Sequence, residues 1–265
     1  MAEVLITSTQ NPHIKRLQAL QQKSSERRQQ GLFVVEGKRE LAQCVKAGYG
    51  IEALFCCPSL LGDEQLQAWM ATQLQGRCFE VSETLYARIA YRGTTEGVLA
   101  LVSPKPAVFS SLHLSESPLI VVLERVEKPG NLGAVLRTAD AARADAVIVC
   151  DPLTDLYNPN LIRASLGAIF TVPCVACSSD ECIRFLKERG IQILTAQLQD
   201  SHLYYDTDMR RATAIVMGTE STGLSSQWRE AADAHIRIPM LGEVDSLNVS
   251  VSAAILLFEA VRQRM

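Results

Sequence analysis

Five short runs between residues 119 and 217 are almost continuously apolar: LIVVL (119–123), AVIVC (146–150), TVPCV (171–175), IQIL (191–194) and TAIVM (213–217). A strand with one solvated face alternates apolar and polar residues, so uninterrupted runs rich in Val and Ile belong to strands covered on both faces. Segments of helical periodicity separate them. The alternation predicts an α/β fold: a mostly parallel sheet with helices on both faces. A last helix is predicted over about 248–263, with Val251, Ile255 and Phe258 at i, i+4 and i+7 as its apolar stripe.

The first hundred residues read differently. A helix is predicted over 11–30 and a strand at 32–37. Helix 38–47, strand 51–56, helix 63–74, strand 77–81, helix 82–90 and strand 97–102 follow, a small α/β unit. The stretch SPKPAVFSSLHLSESP (103–118) then breaks all periodicity, with three prolines and five serines. The expected organisation is one domain over 1–103, a linker at 104–118 and a second domain over 119–265.

Composition removes several classes. MAEVLITSTQ has no basic region followed by a long apolar stretch, so no signal peptide is expected. No apolar run approaches membrane-spanning length. A cytoplasmic chain with no membrane association is therefore predicted. In a reducing compartment the eight cysteines are expected to be free and buried. Cys174–Cys177 is a lone CxxC and Cys56–Cys57 a lone pair, with no histidine at ligand spacing, so no metal is expected. Net charge is −3 overall, yet Lys15, Arg16, Lys23, Arg27, Arg28, Lys38 and Arg39 face only Glu26 and Glu36 between residues 15 and 39. That stretch carries +5 and the remainder about −8, which makes the arm a candidate for RNA phosphates.

Three polar, Gly-bearing blocks interrupt the apolar pattern: NLGAVLRTA (131–139), MGTESTGLS (217–225) and IPMLGEVDSLNVSVSAA (238–254). Each lies where an apolar strand gives way to a turn or helix, and strand ends of a parallel sheet are where ligands bind. Gly218-Thr-Glu220-Ser-Thr-Gly223 lacks the middle glycine of a dinucleotide loop and puts a carboxylate where a pyrophosphate would sit. GKR at 37–39 lacks the preceding glycine of a P-loop. A nicotinamide-dependent oxidoreductase is disfavoured on these grounds. An adenosine-bearing cation such as S-adenosylmethionine is compatible with the carboxylates.

In order and wording, the blocks resemble the three signature motifs of the SpoU/TrmH branch of the SPOUT RNA methyltransferases, over about 119–265. The N-terminal hundred residues are more loosely similar to that family's RNA-binding domain. The resemblance implies a sheet whose C-terminal segment threads a trefoil knot, a homodimer with active sites completed across a two-fold interface, and methyl transfer from S-adenosylmethionine to a ribose 2′-hydroxyl. Ribosomal RNA is the expected substrate; the alternatives are transfer RNA, or an RNA-binding protein that keeps the fold without turnover. By motif, Asn131, Gly133 and Arg137 match the first block, Gly218, Glu220 and Gly223 the second, and Ser246, Leu247 and Asn248 the third. Cofactor contacts are implied through the backbone at Gly218, Ile238, Met240 and Leu247, with Thr195 and Ala196 as further candidates for the adenosine pocket. Two positions depart from the family pattern: Lys128 precedes the proline of the first motif, where Asp is common, and Arg143 stands where a glycine is common.

The chemistry must activate a poor nucleophile and place it in line with a cationic sulfur. A guanidinium gives up its proton only above about pH 12. Arg137 is therefore expected to orient the ribose and stabilise the developing alkoxide, with a substrate phosphate as its partner. Asn131 would fix the arginine or the ribose, and Glu220, Ser246 and Asn248 would shape the pocket. Taken singly, Asn131, Ser246 and Asn248 also suit helix capping.

Overall fold

The computed structural model describes residues 5–62, 77–91, 96–219 and 222–265. The helix expected at 63–74 and the side chain of Glu220 lie outside them. The chain forms two compact units, Met1–Lys105 together with Tyr157–Phe170, and Pro106–Leu156 together with Thr171–Met265.

In the first unit, strands β1 (Phe33–Glu36), β2 (Gly50–Cys56) and β3 (Cys78–Glu80) join β4 (Val98–Ser103) in the order β1-β4-β2-β3. β4 runs antiparallel to both its neighbours, and β3 is parallel to β2. The helix Pro12–Gln22 starts where the Asn11 side chain accepts from the His13 N–H and Pro12 occupies the first turn. Its Ile14, Leu17 and Leu20 pack on Val34, Phe55, Leu99 and Tyr86. The expected single helix over 11–30 is interrupted: Lys23 is extended, and a second helix, Ser24–Gln30, ends at left-handed Gly31. The break folds Arg27 back beneath the first helix. Its guanidinium donates to the carbonyls of Leu20 (2.6 Å) and Gln21 (3.2 Å), and the residue is buried. Carbonyls at a helix end lack intrahelical partners, and Arg27 satisfies two of them. Arg27 is thus a structural clamp, a correction to its assignment as an RNA contact.

The segment 157–170, which lies between two strands of the other sheet, belongs to this first unit. Phe33 stacks on Tyr157 with ring centres 4.1 Å apart, and Phe170 meets Tyr49 edge-on at 5.2 Å.

The second unit holds seven strands in one parallel sheet: β5 (Leu119–Glu124), β6 (Ala146–Cys150), β7 (Cys174–Cys177), β8 (Gln192–Ala196), β9 (His202–Leu203), β10 (Thr213–Met217) and β11 (Ala234–Arg237). Their order is β7-β6-β5-β10-β8-β11-β9. Every residue of β5, β6 and β10 is buried, as the continuous apolar runs require. The strand expected at 171–175 begins later, because Pro173 cannot donate to the ladder; only its carbonyl pairs, accepting from Val147. Arg143, at the departure from the family glycine, adopts φ 50°, the left-handed region that glycine enters without strain.

The helix Pro129–Ala141 packs against the last helix, Val249–Arg264. That last helix buries Val249, Ala253, Leu256, Leu257 and Ala260. The stripe predicted from sequence is its other side: Val251 is 46% exposed and Phe258 48%, with Ile255 between them half-buried. The helix is apolar on two faces, and one chain covers only one of them.

Candidate functional site

The carboxyl ends of β8, β10 and β11 open into a cavity of about 380 Å³. Its walls are the turns that follow these strands: Ala196–Gln199 after β8, Gly218, Thr219, Thr222, Gly223 and Leu224 after β10, and Ile238, Met240 and 245–247 after β11. Val249 and Ser252 of the last helix complete it. A ligand crevice is expected at this edge of an open parallel sheet, near the point where the strand order changes direction. Here β10, late in sequence, lies between β5 and β8.

The second block builds one wall by folding on itself. Thr219 bridges to Gly223, whose N–H donates to the Thr219 carbonyl at 3.0 Å, and Gly223 adopts φ 67°. The Thr219 hydroxyl accepts from the Thr222 N–H and meets the Thr222 hydroxyl at 2.8 Å. The hairpin brings two backbones together so closely that a Cβ at Gly218 would lie 2.3 Å from the Gly223 carbonyl group. Only glycine fits there. Below this turn, buried Glu124 at the end of β5 accepts from the Ser225 N–H at 2.8 Å and fixes the start of the next helix.

The third block supplies the opposite wall. Asn248 caps the last helix, its Oδ1 accepting from the Ser250 N–H (3.0 Å) and hydroxyl (2.6 Å). Its Nδ2 donates to Oδ1 of Asn131 at 3.2 Å, so the first and third blocks, 117 residues apart, are joined directly. Asn131 is the third residue of its helix and does not cap it; that helix starts at Pro129 with no side-chain cap. Asn131 instead borders a smaller cavity of about 120 Å³ shared with Glu124, Lys128, Gly218 and Thr219. Ser246 lines the main cavity and caps nothing; its hydroxyl donates to Asp245 at 3.3 Å.

Of the residues expected at the cofactor, Gly218, Ile238, Met240, Leu247 and Ala196 all line the cavity. Thr195 does not. It is fully buried, with its hydroxyl 2.6 Å from Nδ1 of His235 on β11, and it ties two strands together beneath the floor. Two residues further on, Gln197 emerges into the wall. Its Nε2 donates to the Gln199 carbonyl, while its Oε1 is buried with no partner. An orphaned buried acceptor costs about 1–3 kcal/mol unless a donor arrives, so Gln197 offers the cavity a free acceptor that the motifs do not mark. Asp245, also in the wall, sets a carboxylate beside the space.

Three comparisons with known proteins bear on this site. Residues 118–258 match the model of the SpoU rRNA Methylase family, and residues 11–100 that of an MRM3-like substrate binding domain. The chain belongs to the SpoU rRNA methylase family. Within the family, the 23S rRNA (guanosine(2553)-2′-O)-methyltransferase RlmP of Bacillus subtilis is 27% identical over 259 residues, covering 96% of this chain and 97% of its own. The crystal structure of an RNA 2′-O ribose methyltransferase matches with a TM-score of 0.85 at 39% identity, covering 98% of this chain and 99% of that one. The AdoMet-bound rRNA methyltransferase from Sinorhizobium meliloti matches with a TM-score of 0.89 at 30% identity, covering 98% and 97%.

Arg137 is exposed on the helix Pro129–Ala141, lines neither cavity, and is paired with no other described residue. Gly133 is buried in the same helix. On the first unit, Lys15, Arg16, Lys23, Arg28 and Arg39 are exposed, with Arg16 bonded to Gln30 at 2.7 Å. Lys38 is half-buried and donates to the Leu61 carbonyl.

Proposed function

We propose that this chain transfers a methyl group from S-adenosylmethionine to a ribose 2′-hydroxyl of ribosomal RNA, acting as a knotted homodimer. The observation that carries the reading is the 380 Å³ cavity at the carboxyl ends of β8, β10 and β11, bordered by the second and third sequence blocks. Its size falls in the range of small-molecule pockets. Apolar Met217, Leu224, Ile236 and Met240 suit an adenosine body, Gln197 Oε1 awaits a donor, and Asp245 suits a cation.

When bound, S-adenosylmethionine supplies an electrophilic methyl on sulfonium. The residues of the chain do the rest. Backbone groups at Gly218, Ile238, Met240 and Leu247 hold the cofactor, and Ala196 with Gln197 closes the adenosine end. Arg137 orients the ribose and stabilises its developing charge. Asn131 and Asn248 hold their two helices in register, and Glu220 and Ser246 shape the ribose side. Arg137 lies outside the cavity of its own chain, which supports a site shared between two copies. The uncovered apolar face of the last helix supports the same arrangement. Lys15, Arg16, Lys23, Arg28, Lys38 and Arg39 give the substrate unit its phosphate contacts.

The test offers labelled S-adenosylmethionine with unmodified ribosomal and transfer RNA and maps the labelled ribose. Label on ribosomal RNA is expected, abolished by Arg137→Ala with cofactor binding retained. Mixing Arg137→Ala with a cofactor-site variant, Gly218→Ala, should restore part of the activity in mixed dimers. Label on transfer RNA alone, or full activity in Arg137→Ala, would refute the corresponding assignment.

A further inference from the structure

Three thiols outside the cofactor cavity converge at the carboxyl edge of the second sheet. Cys150 ends β6, Cys177 ends β7, and Cys182 lies in the first turns of the helix Ser179–Glu188 that follows. Their sulfurs lie within 4.8 Å of one another, and the Cys150–Cys177 separation is 4.0 Å. The CxxC visible in sequence does not act as a pair. Cys174 and Cys177 are three apart on a strand, so their side chains point to opposite faces. Cys150 and Cys177 instead occupy paired positions of the parallel ladder and share a face.

Three sulfurs arranged in a plane about 2.3 Å from a central ion lie about 4.0 Å apart. The Cys150–Cys177 pair already has that spacing, and Cys182 needs to close by less than 1 Å. Among the described residues, no fourth His, Cys, Asp or Glu joins the group. The nearby Asp151 carboxylate is taken up by the Ser179 N–H and hydroxyl, at 3.2 and 2.6 Å. Soft thiolates without oxygen or nitrogen donors select soft ions, and a donor set of three fits a trigonal one better than four-coordinate zinc. Cys150 and Cys182 are fully buried, while Cys177 is half-buried and gives a path from solvent. We propose that Cys150, Cys177 and Cys182 form a trigonal thiolate site for a soft monovalent d10 cation, Cu(I).

Entry of the ion displaces thiol protons to solvent and transfers no electrons, since copper enters and remains as Cu(I).

The test is anaerobic titration of the full chain with Cu(I), supplied as its acetonitrile complex against a chromogenic Cu(I) chelator. One Cu(I) per chain should be retained, with ultraviolet thiolate-to-copper absorption. Cys177→Ser, at the half-buried position, should weaken retention at least 100-fold, and Cys56→Ser/Cys78→Ser should leave it unchanged. In the unmutated chain, Cu(I) should slow alkylation of Cys177 at least tenfold and leave that of Cys78 unaltered, a readout independent of any variant's folding. No stoichiometric uptake, equal uptake by Cys177→Ser, or unprotected Cys177 would each overturn the site.

Discussion

Replacing Gly218 with alanine tests whether the wall of the cavity is built by the close approach of two backbones. The added Cβ would sit 2.3 Å from the Gly223 carbon and oxygen and 2.6 Å from the Leu224 nitrogen, whereas ordinary contact begins at 3.4 Å. The obstacle is backbone on both counts, so no side chain can swing away. The turn must open by about 1 Å, and overpacking of that kind typically costs about 1–3 kcal/mol. In a domain of this size, a cost of about 2 kcal/mol lowers Tm by roughly 4–8 °C. The displaced strand carries the Thr219–Gly223 bridge, and its 3.0 Å hydrogen bond is the first to be lost. Since Gly218, Thr219, Thr222 and Gly223 line the cavity, cofactor affinity should fall at least tenfold, about 1.4 kcal/mol. Gly50→Ala is the matched control, an exposed glycine of the first unit whose virtual Cβ meets only the Ser103 Cβ, at an ordinary 3.8 Å. Thermal melts and calorimetric titration with S-adenosylmethionine read both quantities. If Gly218→Ala melts and binds like Gly50→Ala, the close-approach argument is wrong.

Three further outcomes follow from the same geometry. Gln197→Leu removes a buried acceptor that has no partner among the described residues, so Tm should hold or rise while S-adenosylmethionine affinity falls about tenfold; unchanged affinity would remove Gln197 from the site. Arg27→Ala should destabilise the first unit by about 1–3 kcal/mol in urea with little change in the salt dependence of RNA binding, whereas Arg28→Ala/Arg39→Ala should flatten that dependence by about two phosphate contacts and leave stability alone. Burial first, and Glu96 nearby, raise the carboxyl of Glu40 above its ordinary value. The folded state therefore holds a proton there that the unfolded chain has released, and stability falls as pH rises from the ordinary glutamate range through the raised value. Glu40→Gln should remove that decline in urea melts across pH 4 to 8, and an unaltered profile would count against it.

The strands were legible because burial on both faces leaves a pattern that no loop imitates: LIVVL and TAIVM became β5 and β10, buried throughout. The cavity-lining glycine was legible as well, since a glycine after a fully apolar strand marks a backbone need. What escaped depends on partners distant in sequence. Arg27 reads as surface charge until the break at Lys23 folds it onto the end of the preceding helix. Thr195 and Gln197 are equally polar and two residues apart. Only the pairing of β8 with β11 reveals that the first is spent on His235, while the second keeps an unsatisfied acceptor at the cavity wall. The segment 157–170 leaves its flanking strands because aromatic Tyr157 and Phe170 find Phe33 and Tyr49, a preference that local pattern cannot express.

The last helix joins the questions of assembly and of the cofactor. Its uncovered Val251 and Phe258 are each about half exposed, so covering them recovers about 1 kcal/mol apiece, or about 4 kcal/mol across two copies. Association costs about 4–15 kcal/mol, so that face alone reaches only the lower end of the range. Leu241 and Val244, 96% and 64% exposed, stand on the turn whose Met240 and Asp245 line the cavity. Covering them as well adds about 6 kcal/mol over two copies and brings the sum into the range of the cost. In the proposed dimer, an interface that covers the cofactor turn as well as the last helix is therefore the more stable one. Association would then pack against the same turn that is proposed to hold the methyl donor, so cofactor affinity should rise with chain concentration; affinity that is independent of concentration would separate the two roles.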